Sequence, residues 1–138
     1  MRKLFIAVLV FTLTIETAIG ACLLDDYSVS AEFSRSTVGA LGRVASERQI
    51  SEQKDSGVLE GVIYTVRVDE LFRGHAGKTL TVFSENSSSR LLMQGGQTYL
   101  LFLYSQSGRL SADYCGNSGL STNKQSVLNQ VRALGHVR

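Results

Sequence analysis

The chain contains no proline and no tryptophan, and only two histidines and two cysteines among its 138 residues. With no proline there is no proline-rich linker. No repeat or low-complexity stretch marks a domain boundary either. The histidines, His75 and His136, stand far apart, and neither has a cysteine or second histidine close by. That excludes the clustered ligands of a zinc site and gives no start to a histidine-based triad. Charge of one sign is missing as well. Lys and Arg number 14 against 12 Asp and Glu, with no basic block anywhere, so nucleic acid is a poor partner.

The beginning of the chain is informative. Met1-Arg2-Lys3 is a short positive segment, Leu4 to Ile15 is an apolar run, and Ala18-Ile19-Gly20 supplies small residues at the peptidase positions. This is the layout of a secretory signal peptide over residues 1–20. The run is too short to span a bilayer core, which takes about 20 apolar residues. Cleavage after Gly20 starts the mature chain at Ala21-Cys22 and leaves residues 21–138 as a single domain in the secreted or periplasmic space. Without Arg2, Lys3 and Glu16 the remainder carries one net positive charge. A second reading exists. Ile19-Gly20-Ala21-Cys22 resembles a lipobox, in which Cys22 is lipidated and the protein is a membrane-anchored structural or adaptor protein of the cell envelope with no inhibitory role. Glu16 and Gly20 depart from that pattern.

In an oxidising compartment Cys22 and Cys115 most simply form one disulfide. Closing so long a loop is worth about 4–5 kcal/mol in the chain-entropy picture. The alternatives are a pair of free, reactive or metal-binding thiols or, with lipidated Cys22, an unpaired Cys115.

Apolar periodicity reads mostly as strands. Val38 to Val44 forms one, and Gly39 and Gly42 within it predict a bulge or a sharp coil. Val62, Tyr64, Val66 and Val68 alternate with Ile63, Thr65, Arg67 and Asp69, a period of two that Leu71-Phe72 breaks. Thr79 to Phe83 is β-rich. Tyr99 to Tyr104 is apolar on both faces, which predicts a central strand. Ser107-Gly108-Arg109 reads as a hairpin turn into a strand from Leu110 to Tyr114. A helix is expected from Asp25 to Arg35, its acidic start favoured by the helix dipole, with Tyr27, Ala31 and Phe33 inward. A second, capped by Ser121 or Thr122 and stopped at Gly135, carries Val127, Leu128, Val131 and Leu134 on one face. The prediction is a mostly β fold, a five-stranded OB-fold-like barrel with flanking helices, one of them C-terminal. A small β-sandwich is the alternative.

The residues carry little catalytic chemistry. No serine sits in a nucleophile elbow and no glycine-rich phosphate loop follows a strand, so an enzyme is not expected and no cofactor is called for. Asp69 and Glu70 point to opposite faces of a strand and do not converge. Asn86-Ser87-Ser88 is a sequon with meaning only in a eukaryotic host. Tyr64, Tyr99, Phe102 and Tyr104 read as core residues in preference to a stacking platform for bases.

Gly42-Arg43-Val44, Tyr64-Thr65-Val66-Arg67-Val68, Leu71-Phe72-Arg73-Gly74, Gly95-Gly96-Gln97-Thr98-Tyr99-Leu100-Leu101-Phe102, Gly108-Arg109-Leu110 and Cys115 follow one another in order. This set, beginning at a cysteine beside the cleavage point, resembles the N-terminal domain of the tissue inhibitors of metalloproteinases. The likeness is closest to the short bacterial TIMP-like proteins. That resemblance implies a protein-binding module acting on a zinc metalloprotease or another extracytoplasmic protein through the edge Ala21, Cys22, Leu23 and Leu24. In the family the amine and carbonyl of the first cysteine chelate the protease zinc, as suits the open coordination position of a catalytic zinc. Two departures matter. The family begins Cys-x-Cys where this chain has Cys22-Leu23-Leu24, and its Cys-Gly pair is replaced here by Ser87-Ser88-Ser89-Arg90.

Overall fold

Strand pairing organises the chain, and hydrophobic burial then closes it. In a computed structural model, which describes Cys22 and residues 26–51 and 59–135, helix α1 (Val29–Arg35) leads into strands β1 (Val38–Ser51), β2 (Leu59–Arg73), β3 (Thr79–Glu85), β4 (Thr98–Gln106) and β5 (Arg109–Ser111). A short β6 (Gly119–Leu120), a 3-10 turn (Ser121–Asn123) and helix α2 (Gln125–Gly135) complete the fold. The expected signal segment 1–20, together with Ala21, Leu23, Leu24, Asp25 and His136, lies outside the described residues.

The five longer strands form a closed ring in the order β1-β2-β3-β5-β4 and back to β1. All neighbours are antiparallel except β3 and β5, which pair in parallel through Val82–Leu110 and Phe83–Ser111. This is the mostly β, five-stranded, OB-like arrangement expected, with helices at its flank. Its chemistry is clearest in β4, where residues 99–103 are all buried. Tyr99, Leu101 and Leu103 point into the ring with Val44, Val66 and Val82. Leu100 and Phe102 point outward and are covered by Phe33 of α1 and by Leu128 and Val131 of α2. A strand with core on both faces has no polar positions, hence the unbroken apolar run.

Ring closure needs sharp coiling, and β1 and β2 supply it. Their register slips between Gly39 and Ala40, between Leu41 and Gly42 and again between Val44 and Ser46. Bulges of this kind raise local twist. At Gly42 the strands lie so close that a Cβ would stand 2.8 Å from the carbonyl oxygen of Arg67. Glycine is the residue that permits this approach.

Several predicted boundaries move. Leu71-Phe72 does not end β2, which runs to Arg73; the broken alternation is two bulges, and Phe72 turns toward the helix cluster. β1 continues past Val44 to Ser51 with its added residues largely exposed. That extension exists because β2 pairs with it, so no burial pattern announces it. The strand from Leu110 to Tyr114 stops at Ser111, after which Asp113 bridges Arg90 and the Tyr114 N–H donates to the Ser89 carbonyl. Helix α1 starts four residues late. The Asp26 carboxylate accepts the Ser28 N–H at 2.7 Å, and Ser28 caps the helix by accepting from the Ala31 N–H. Ser121 and Thr122 lie in the 3-10 turn instead of capping α2, which begins at Gln125. The Ser107-Gly108 hairpin turn is present, with φ of 48° and 75°.

Polar ties fix the helices to the ring. Arg73 donates to the carbonyls of Ser36 (2.7 Å) and Ser34 (2.8 Å) and lies over the Phe33 ring at 5.7 Å. Glu70 pairs with Arg132 of α2, whereas Asp69 pairs with Arg67 at 3.0 Å. The two adjacent carboxylates diverge, as strand geometry requires.

Candidate functional site at the N-terminal edge

Cys22 and Cys115 are joined in a disulfide with a Cα separation of 5.5 Å, closing a loop of 93 positions. The bond anchors Cys22 on the segment between β5 and β6. That segment is itself held by hydrogen bonds at several residues. The Cys115 N–H donates to the Asp113 carboxylate at 3.0 Å, and the buried Ser118 hydroxyl accepts from the Phe102 N–H of β4 at 2.8 Å. The turn at residues 87–90 is fastened to the same segment through the Arg90–Asp113 bridge and the Tyr114-to-Ser89 hydrogen bond.

Between the disulfide and the ring lies a group that the sequence did not single out. Glu32, in the middle of α1, is only 2% exposed. Its carboxylate accepts from both the backbone N–H and the side-chain amide of Asn117, each at 2.7 Å. The same Asn117 amide donates to the Tyr27 carbonyl at 2.7 Å. Gly116 presses its backbone against this carboxylate so closely that a Cβ would overlap it. A buried carboxylate is tolerated only when hydrogen bonds replace its hydration, and Asn117 provides them. The Tyr104 phenol lies near the Glu32 charge. Its pKa is pushed up to about 12, first by burial and then by the nearby Glu32 charge, so the phenol stays protonated and remains a donor.

The edge is therefore clamped twice. A covalent bond fixes Cys22, and a polar lock of Glu32, Asn117 and Tyr27 ties α1 and Tyr27 to the 115–118 segment. Among the described residues this arrangement offers no nucleophile and no acid–base pair with free access; what it offers is Cys22 and α1 tied to one segment. Ala21, Leu23 and Leu24, the rest of the predicted edge, lie outside the described residues.

The other predicted positions scatter. His75 is exposed in the turn between β2 and β3. Tyr64, Tyr99 and Phe102 are buried, and Tyr64 and Tyr99 accept from the N–H groups of Met93 and Gln94, so they are core residues. Tyr104 is partly buried beside Glu32. Glu32 and Asn117 escaped the sequence reading because they are 85 positions apart. One faint signal was available: Glu32 sits on the face of α1 that Phe33 also helps to bury. No protein-family model matches the chain, and no curated protein matches it.

Proposed function

We propose that this chain is an extracytoplasmic protein-binding module that works through its clamped N-terminal edge, as the metalloprotease inhibitors it resembles do. The observation that carries the reading is the Cys22–Cys115 bond seated on a segment that Glu32 and Asn117 already hold rigid. Inhibition by chelation demands that rigidity. A neutral amine and an adjacent carbonyl oxygen displace water from a catalytic zinc only if the geometry is fixed in advance. The ring supports the reading in a second way. Where the family carries a Cys-Gly pair, the 87–90 turn is tied to the Cys115 segment by backbone hydrogen bonds, so the neighbouring ridge is held without a second disulfide.

Secretion fits the same picture. The disulfide suits an oxidising compartment, and the signal-like segment ends beside the bonded cysteine. A sulfur engaged with Cys115 is not free to form the thioether of a lipoprotein, which favours the unanchored form. Enzyme activity has no support in the geometry of the edge.

The test is inhibition of a panel of zinc metalloproteases by the secreted protein and by a form extended with one alanine. Before the assay, intact mass establishes the true N-terminus. Inhibition that the extension abolishes supports chelation by the terminal amine. Equal inhibition by both forms sinks that mechanism and moves the contact elsewhere on the module.

A further inference from the structure

Asp113 and Ser89, which hold the residues around Cys115, also form one wall of a groove of about 580 Å³. Glu85 of β3, Tyr104 and Gln106 of β4 and Arg109 of β5 line the rest of it. The groove lies beyond Ser111, where the pairing of β5 with β3 ends.

This groove is continuous with the N-terminal edge. The Asp113 carboxylate accepts the Cys115 N–H and the Ser89 carbonyl accepts the Tyr114 N–H, each at 3.0 Å. Tyr114, 48% exposed, stands in the chain between Asp113 in the groove wall and Cys115 in the disulfide. A protein seated on the edge is therefore brought against the groove. We propose that the groove is a second contact for that partner and takes one of its lysine or arginine side chains, with the cation at Glu85. The inference rests on the edge-binding reading and adds to it the chemistry that selects the partner.

The lining favours a long basic side chain. Its floor is apolar, with Ala112 buried and Phe83 and Tyr104 partly buried. The aliphatic stem of a lysine or arginine can lie along such a floor while its charged head stays at the rim. The rim charges are unequal. Carboxylates of Glu60, Glu85 and Asp113 stand against guanidiniums of Arg90 and Arg109. Both guanidiniums are engaged, Arg109 with Glu60 at 2.8 Å and Arg90 with the Asn86 side chain. Glu85 meets no cation among the described residues. An acidic partner group would find both cations committed and a like charge opposing it. Arg109 shows the mode within the chain: its guanidinium lies over the Phe83 ring at 4.6 Å and ends on Glu60.

The test measures inhibition of each zinc metalloprotease of the panel by the parent and by groove variants whose amide shifts show an intact fold. Glu85→Lys, at an exposed position, should raise the inhibition constant about tenfold at low salt, mainly through slower association. The gap should narrow at about 1 M salt, where charges are screened. Gln106→Trp, also exposed, fills the groove without changing its charge and should weaken inhibition at both salt concentrations. Asn129→Lys combined with Gln130→Lys makes the same change of net charge on α2 and should inhibit like the parent. Inhibition that neither groove variant alters overturns this inference and leaves the edge reading standing. Stronger inhibition by Glu85→Lys also overturns it, because the partner's group would then be acidic. A parent that inhibits no protease of the panel sinks the edge reading, and the groove contact falls with it.

Discussion

The Glu32 carboxylate accepts two hydrogen bonds from Asn117, each 2.7 Å long, across 85 positions of sequence. This one pairing joins the first helix to the segment that carries Cys115. With the disulfide it makes two ties to that segment, one from Cys22 and one from α1.

Breaking the polar half of the clamp should be costly. Asn117→Ala keeps the backbone donor but removes the side-chain amide from both Glu32 and Tyr27, and should destabilise by about 1–3 kcal/mol. Glu32→Ala removes every interaction of the carboxylate and leaves a void, and should cost about 3 kcal/mol or more. Gly116→Ala drives a methyl into the same carboxylate and should fall in the overpacking range of about 1–3 kcal/mol. Urea unfolding midpoints of the three variants would check the ranking; a neutral Asn117→Ala would show that the pairing is dispensable.

Removing the covalent half should act differently. Replacing Cys22 and Cys115 together by serine should lower stability by about 2–4 kcal/mol, chiefly by freeing the unfolded chain. The ring should persist, because its closure through β1 and β4 involves neither cysteine. Amide shifts of β1 to β5 would stay close to those of the oxidised protein, while those near residues 113–118 would move. Collapse of the whole spectrum would contradict the independence of ring and clamp.

Tyr104 offers a pH signature. Its phenol is held protonated to about pH 12 in the folded chain, above the ordinary value of about 10 that applies once the chain unfolds. The folded state therefore binds this proton more tightly. Its contribution to stability is complete below about pH 10 and is lost as pH rises toward about 12. Ultraviolet titration of the phenolates should show a late step that a Tyr104→Phe variant lacks. In a Glu32→Gln variant the same tyrosine should ionise earlier, since the nearby negative charge is gone. No difference between parent and variant would separate the two residues.

Much of the architecture was legible in the residues alone. Alternation from Val62 to Asp69 marked a strand with one face inward, and Tyr99 to Tyr104 marked a strand buried on both. Val127, Leu128, Val131 and Leu134 marked the covered face of α2, and a lone pair of cysteines marked the disulfide. All of these are local signals or simple counts, and local periodicity reports burial whatever the partner is. The ends of elements were less legible. β1 runs on to Ser51 and β2 through Leu71-Phe72 because each pairs with the other, and pairing through the backbone leaves no mark in side-chain pattern.

The sequence by itself determined the kind of fold, its apolar layers and the residue to which Cys22 is bonded. Only the tertiary structure decided what surrounds that bond. A glutamate in a short helix, a glycine and an asparagine in an irregular segment each look like ordinary surface residues. They become a buried lock because ring closure brings β4 and the 115–118 segment against α1, where water is excluded and each polar group must find a protein partner.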